Sequence, residues 1–205
     1  MSRFLSVVLF AFLLILSPAA SAAAADADPA AQQIEKFYAG LTDSMKRGKE
    51  LGIEGRYKAL LPVVQDVFDL PAMAQLTVGP AWAKLSDEDK KAILDAFTRM
   101  TVANYAKNFA SYGGEQFTVD PMVKMRAQDK IVESKLIGSD KKETPFLYRM
   151  HMAGDKWKIV DVYLNGTISQ LALKRSDFSS TVASQGAKGL VTKINALVDM
   201  QMAGG

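Results

Sequence analysis

The side chains most able to do chemistry are few in this chain, and their spacing forms no catalytic arrangement. His151 is the only histidine, so a Ser-His-Asp site would have to include it. It alternates out of phase with the apolar residues of its segment, which predicts that it points to solvent or to a polar cap. The single Ser-x-x-Lys pattern, Ser139 to Lys142, falls in a predicted turn instead of on a helix. These residues indicate no nucleophilic or acid–base mechanism.

The sequence also lacks the residue patterns that metal, cofactor and nucleic-acid sites require. The chain has no cysteine, no phosphate-binding glycine loop, no dinucleotide fingerprint and no Gly-x-Ser-x-Gly elbow. The carboxylates Asp87, Glu88 and Asp89 follow Ser86 at the predicted start of a helix, where capping explains them. A formal net charge of +3 is too balanced to favour nucleic acid. The sequence therefore predicts no catalytic residue, no metal and no cofactor.

The first half of the chain has the periodicity of helices. Apolar residues recur at spacings of three and four in stripes that begin near Pro29, Tyr57, Leu70 and Ser86. The polar segment from Lys46 to Gly55 is interpreted as a connection between the first two helices. Gly113 and Gly114 are predicted to end the long helix that follows Ser86.

From Gln116 the apolar period becomes two, which is typical of strands. Four strands are expected over 116–126, 130–137, 146–152 and 157–164, joined by short turns as an antiparallel meander. Two helices follow, roughly from Thr167 to Ser184 and from Ala187 to Met200, separated by Gly186. The predicted fold is a single α+β domain, in which a four-stranded antiparallel sheet is wrapped by about six helices.

The first 25 residues have the pattern of a secretory signal peptide. Arg3 is the only charge before Asp26, and Phe4 to Leu16 is apolar apart from Ser6. Ala20-Ser21-Ala22 matches a small-x-small cleavage pattern, so cleavage is expected near residues 22–25. The apolar run is short for a bilayer core, which takes about 20 residues, although an uncleaved anchor is the alternative. Residues 26–205 are therefore predicted to be one exported domain.

The segment from Gly154 to Phe178, GDKWKIVDVYLNGTISQLALKRSDF, resembles the closing strand and helix of the MlaC / toluene-tolerance family. The similarity extends over nearly the whole exported chain, from about Ile34 to Leu197. Its pieces are Phe68-Asp69, Met73-Ala74, Gly79, Trp82, Phe97, Tyr105, Trp157-Lys158-Ile159, Asp161-Val162, Gly166, Ser169, Arg175, Phe178, Gly186 and Leu190. Each piece is common by itself, and their order behind a signal peptide gives the match its weight.

The resemblance implies a periplasmic lipid carrier. Such proteins hold lipid tails in an apolar cavity between a sheet and its helices, and dock transiently near membranes. They pass lipid between an outer-membrane lipid complex and an inner-membrane ABC transporter with an MCE-type component. The segment LKRSDFSSTVASQGAKGLVTKIN is also similar to the HpnM subgroup linked to hopanoid biosynthesis. The implied ligand is thus a phospholipid, a hopanoid or both.

Soft apolar side chains provide candidates for the cavity wall. The chain has 10 Met and 10 Phe, and methionine adapts well to irregular apolar ligands. The predicted lining residues of the helices are Phe68, Met73, Trp82, Phe97, Met100 and Tyr105. Those of the strands are Phe117, Val119, Val132, Phe146, Tyr148, Met150, Met152, Trp157 and Ile159. Ordinary core packing is the alternative for each of them.

Arg175 falls at helical spacing on an apolar stripe of the helix after Gly166. The stripe consists of Ile168, Leu171, Phe178 and Val182. A charge on such a face needs a partner, and Asp161 on the preceding strand is a candidate for a structural ion pair. In the alternative, Arg175 binds a lipid phosphate at the mouth of the cavity. The sequence leaves both roles open.

Three classes of function are compatible with these observations. A lipid carrier is favoured by the resemblance and by the apolar composition. A periplasmic adaptor or chaperone-like protein would use the same scaffold with a filled core and no lipid cargo. A hydrolase is the third class, and no residue pattern supports it.

Overall fold

The computed structural model describes residues 27–203, and the predicted signal peptide of residues 1–25 lies outside the described residues. The helices are α1 (Pro29–Lys46), α2 (Gly48–Val67), α3 (Leu70–Val78), α4 (Asp87–Asn108) and α5 (Gln170–Ala203), with a 3-10 helix (Gly79–Lys84) between α3 and α4. The strands are β1 (Gln116–Val119), β2 (Lys124–Arg126), β3 (Asp129–Ile137), β4 (Glu143–Ala153), β5 (Lys156–Leu164) and β6 (Ile168–Ser169). This is an α+β chain, as predicted.

The sheet has six antiparallel strands in the described residues, and the predicted number of four is wrong. Its order is β1-β3-β4-β5-β6, with β2 also paired to β3. The first predicted strand divides into β1 and β2 because Pro121 interrupts it, and Asp120 Oδ1 there accepts a hydrogen bond from the Met122 N–H at 2.8 Å. The segment after Gly166 first forms β6, where Leu164 pairs with Ile168, so the last helix starts later than predicted.

The bounds and types of the helices differ from the prediction of about six helices. The described chain has five α-helices and one 3-10 helix. The predicted connection from Lys46 to Gly55 is wrong, because α2 already begins at Gly48 and is only kinked at Gly52. The fourth α-helix ends at Asn108 instead of at Gly113, since Phe109 leaves helical geometry and its ring stacks with Tyr105 at 5.9 Å.

The last helix, α5, turns back on itself at Gly186. This glycine has φ 69° and ψ −173°, which breaks the helix. A continuous helix would separate Asp177 from Lys193 by about 24 Å, yet their side chains form an ion pair. The two halves of α5 therefore pack side by side as a helical hairpin, which confirms the predicted separation at Gly186.

Part of the hydrophobic core lies between α1 and the sheet. Ile34, Phe37 and Leu41 on α1 are almost fully buried. Tyr38 shares a hydrogen bond of 2.6 Å with the Ser134 hydroxyl, and its hydroxyl donates to Tyr148 at 3.0 Å. Burial raises the pKa of Tyr38 to about 12, so the hydroxyl stays protonated and remains a donor. This polar contact within an apolar layer fixes α1 against β3 and β4.

The junction between α2 and α3 is attached to the sheet through Phe68 and Asp69. Phe68 is extended and bridges to Ile159, and the Asp69 N–H donates to the Ile159 carbonyl at 2.9 Å. Asp69 Oδ1 caps α3 by accepting from the Ala72 N–H at 3.0 Å, while Oδ2 lies 2.7 Å from His151 Nε2. His151 therefore meets a polar cap, which was one of the two environments predicted for it.

Gly186→Ala tests the helical hairpin. The φ/ψ pair of Gly186 belongs to a region that is essentially restricted to glycine, while a Cβ added there would meet no atom within 4 Å. We expect a loss of about 1–3 kcal/mol in the free energy of unfolding, from backbone strain alone. Denaturant unfolding measures it, with Gln185→Ala at the neighbouring exposed position as the control. A variant as stable as the wild type would contradict this geometry.

Candidate ligand-binding pocket

A pocket of about 550 Å³ lies between α4, both halves of α5 and one end of the sheet. Its apolar lining residues are Phe68, Met73, Phe97, Met100, Tyr105, Phe109, Phe146, Val162, Leu164, Leu171, Leu173, Phe178 and Leu197. Its polar lining residues are Thr101, Asn104, Asn108, Gln170, Lys174, Asp177 and Gln201. The volume falls within the roughly 300–1,000 Å³ of typical ligand sites, and the mostly apolar wall suits an apolar ligand.

The helical hairpin and α4 build the wall away from the sheet. Phe97 on α4 and Phe178 on α5 meet edge to face, with their ring centroids 6.5 Å apart. Leu171 and Leu197 line the same pocket although 26 residues separate them, which is possible only because α5 reverses at Gly186. The pocket therefore depends on the glycine kink as well as on apolar packing.

The polar side of the pocket contains a partly buried lysine. Desolvation by burial lowers the pKa of Lys174, while the negative charge of Asp161 acts in the opposite direction. Asp177 also lines the pocket, but its carboxylate is ion-paired with Lys193. The Gln201 Oε1 atom is buried and has no hydrogen-bond partner among the described residues. Leu173 is 59% exposed, so apolar surface continues from the pocket to the outside of the protein.

The structure brings six of the fifteen predicted lining residues to this pocket. They are Phe68, Met73, Phe97, Met100, Tyr105 and Phe146. Four others, Val132, Tyr148, Met150 and Ile159, are buried in the hydrophobic core and do not line the pocket. Phe117 stacks on Tyr38 at 4.3 Å, and Trp82, Val119 and Trp157 are partly buried against the same core. Met152 is 49% exposed near the opposite end of β4.

The predicted lining set includes none of the polar lining residues and none of those supplied by α5. The sequence spacing places Arg175 on the apolar stripe of Leu171 and Phe178. Lys174 also lies three or four residues from each of these two, and the prediction did not include it. In the structure Lys174 lines the pocket, whereas Arg175 is exposed and its guanidinium lies beside Gly79. Lys174 and Arg175 are adjacent on the helix, and apolar spacing alone does not determine which of them faces the pocket.

Asp161 holds the start of α5 against β5. Its Oδ1 accepts from the Val162 N–H at 2.8 Å and from the Leu171 N–H at 3.0 Å, and its Oδ2 accepts from the Ser169 hydroxyl at 2.6 Å. Ser169 in turn caps α5 by accepting from the Ala172 N–H at 2.9 Å. No ion pair joins Asp161 to Arg175 within residues 27–203. The predicted ion pair between Asp161 and Arg175 is therefore absent from the described residues, and backbone and hydroxyl donors stabilise the carboxylate instead.

Two shallower grooves accompany the pocket. One, of about 480 Å³, lies between α2, α3 and α4 and includes Tyr57, Thr98 and Arg99. The other, of about 580 Å³, lies along β1, β3 and β4. Both are more open to solvent than the pocket at α5 and lack its continuous wall of aromatic and Met side chains.

The described part of the chain, residues 27–203, has neither a candidate metal site nor a helix suited to crossing a membrane. No group of three or more His, Asp or Glu side chains is placed to hold a metal ion there. None of its helices combines the length and the apolarity that crossing a membrane requires.

The fold and the pocket define a one-domain α+β protein with an apolar site between a sheet and a helical hairpin. The chain belongs to the MlaC family, because the family model described as MlaC protein matches residues 35–196. In structure it is similar to a phospholipid-binding protein from Ralstonia solanacearum, solved in complex with a phospholipid. That match has a TM-score of 0.74 and 16% sequence identity, and covers 85% of this chain and 99% of the other. No curated protein gives a significant sequence match.

Asp161→Ala and Arg175→Ala distinguish the roles of these two residues. Removing the buried carboxylate leaves two backbone donors and one hydroxyl without their acceptor, so we expect a loss of about 3 kcal/mol in the free energy of unfolding. Arg175→Ala removes an exposed side chain and should change stability by no more than about 0.5 kcal/mol. Chemical denaturation measures both. Equal destabilisation by the two variants would instead support an ion pair between Asp161 and Arg175.

Proposed function

We propose that this protein is a periplasmic lipid carrier. It would hold lipid tails in the pocket between α4, α5 and the sheet, and expose the headgroup at the polar side. The observation that carries the proposal is a largely apolar pocket of about 550 Å³ in a chain of the MlaC family. The phospholipid complex of the Ralstonia solanacearum protein, which shares this fold, supports the same use of the scaffold. The proposal involves no catalytic step.

The predicted signal peptide supports a location outside the cytoplasm. Residues 1–25 would direct export and be removed near residues 22–25, which would leave residues 26–205 as the lipid-binding domain. In the periplasm the protein would exchange lipid with an inner-membrane ABC transporter of MCE type and with an outer-membrane lipid complex. The direction of transfer depends on those partners. The cargo would be a phospholipid or, following the similarity to the HpnM subgroup, a hopanoid.

Hydrophobic energetics favour a carrier that works by docking. Each acyl methylene buried away from water contributes about 0.8 kcal/mol, so two chains total on the order of 20 kcal/mol. A free lipid would therefore not wait in water between the membranes. An apolar pocket and a bilayer interior are similar environments for the tails, so transfer between them is near neutral in free energy while desorption through water is slow.

A periplasmic adaptor without lipid cargo is the second candidate. It is favoured by the packing of Val132, Tyr148, Met150 and Ile159, which are buried in the hydrophobic core and do not line the pocket. In this case the pocket at α5 would be an incidental gap. Identification of lipids by mass spectrometry, after gentle purification from cells and solvent extraction, separates the two functions. An empty, well-folded protein would favour the adaptor.

Thr101→Trp and Thr98→Trp form a matched pair that tests the pocket. Both threonines lie on α4 and are partly buried, but Thr101 lines the pocket and Thr98 lines the groove beside α2 and α3. An indole at residue 101 would occupy part of the tail site, so we expect Thr101→Trp to lose most co-purified lipid while Thr98→Trp retains it. Extracted lipid per protein is measured by mass spectrometry, and thermal melting checks folding. A folded Thr101→Trp protein with a full lipid load would place the cargo elsewhere.

Spontaneous exchange with protein-free liposomes should be slow. The tails must cross water when no partner bridges the pocket and the bilayer, and this step opposes the full transfer energy of the buried methylenes. We expect labelled lipid to move from liposomes to the emptied protein over hours, and faster when membranes carrying the transporter are added. Rapid pickup from pure liposomes would show that no docking partner is needed.

A further inference from the structure

Lys174 places a positive charge on the polar side of the pocket. It lies in the second turn of α5, between the pocket residues Leu171 and Phe178, and is partly buried. Removing an ammonium group from water is costly unless an anion or several acceptors replace the water. The lowered pKa of Lys174 reflects this desolvation. An anion close to the Lys174 ammonium would offset this cost of desolvation.

The carboxylates around Lys174 are already occupied. Asp161 is near enough to favour the charged lysine, but its oxygens accept from two backbone N–H groups and the Ser169 hydroxyl. Asp177, one turn along α5, is ion-paired with Lys193 of the other half of the hairpin. Within residues 27–203, Lys174 forms no side-chain hydrogen bond or ion pair. An anion from outside the protein would complete this site.

We propose that Lys174 binds the phosphate of the lipid headgroup and thereby selects phosphate-bearing lipids over neutral ones. This assignment rests on the proposed function, since it takes the tails to occupy the apolar wall. A lysine ammonium is a common phosphate ligand, and a charge-assisted hydrogen bond is strongest where water is excluded. Gln201 lines the same pocket with an unpartnered amide oxygen, which would accept from a hydroxyl of the headgroup. Arg175, exposed outside the pocket, has no part in this contact.

The consequence for the cargo is a preference between lipid classes. A neutral polycyclic lipid without phosphate would bury Lys174 further and supply no anion. A diacyl phospholipid would supply one at the polar side of the pocket, beside Lys174 and Gln201. The residue thus favours the phospholipid alternative over a neutral hopanoid.

Dioleoyl phosphatidic acid and dioleoylglycerol test the assignment, because they share their tails and differ in the phosphate. The full chain, freed of lipid, is offered each one in mixed detergent micelles, and bound lipid is quantified by mass spectrometry. We expect the wild type to prefer phosphatidic acid by about tenfold or more. Lys174→Met should lose this preference while still binding dioleoylglycerol, and Lys174→Arg should keep it. Lys188→Met, at an exposed position of α5 outside the pocket, is the matched control and should behave as the wild type.

Other outcomes would overturn the assignment in distinguishable ways. Equal binding of the two lipids by the wild type would leave the carrier function intact and remove the role of Lys174. Binding of neither lipid would reject a diacyl lipid as the cargo, and with it the assignment of Lys174. Glycerol 3-phosphate bound by the wild type and not by Lys174→Met, measured by calorimetry, would indicate a site for free phosphate esters instead of lipids. A folded Lys174→Met protein with the wild-type preference would place the phosphate elsewhere.

Discussion

The contact on which the pocket depends is the one between the Asp161 carboxylate and the start of α5. This carboxylate is 3% exposed and is stabilised by three donors from β5, β6 and α5. It sits at the positive end of the helix dipole, where a buried negative charge is favourable. Because the N–H of Leu171 is one of the donors, the contact fixes the rotation of α5 about its axis. That rotation decides which side chains of the helix face the pocket and which face solvent.

Because α5 reverses at Gly186, the contact with Asp161 positions both halves of this helix. The first half of α5 is fixed to the sheet by Asp161, and the second half returns along it and adds Leu197 and Gln201 to the pocket. Asp177 and Lys193 hold the two halves together across the turn. A helix of the same 34 residues without the kink would extend about 51 Å and leave the pocket without one of its walls. The pocket therefore depends on the buried carboxylate of Asp161 and on the kink at Gly186, as well as on its apolar side chains.

The sequence predicted which face of a helix or strand a residue lies on, but not whether that face lines the pocket or packs in the core. Apolar spacing on α4 places Phe97, Met100 and Tyr105 on one face, and all three line the pocket; the break at Gly186 was also predicted. Alternation along β4 places Phe146, Tyr148, Met150 and Met152 on one face, but among them only Phe146 reaches the pocket, and Met152 is exposed. Tyr148 and Met150 are buried in the core, where the Tyr38 hydroxyl of α1 donates to Tyr148 and shares a second hydrogen bond with Ser134. Period-two spacing assigns a residue to a face of the sheet, while the position of a crossing helix decides whether that face is core or cavity.

The choice between Lys174 and Arg175 has a similar physical origin. Both residues lie within half a turn of the apolar face of α5, and only the direction set by Asp161 separates them. Once Leu171 is fixed by that carboxylate, Lys174 points into the pocket and Arg175 lies outside it, beside Gly79. Under the proposed function, the apolar wall would accommodate tails of several kinds, since Met side chains adapt to ligand shape. Discrimination between headgroups would require a polar group at a defined position, and the anchor that orients α5 holds Lys174 in such a position.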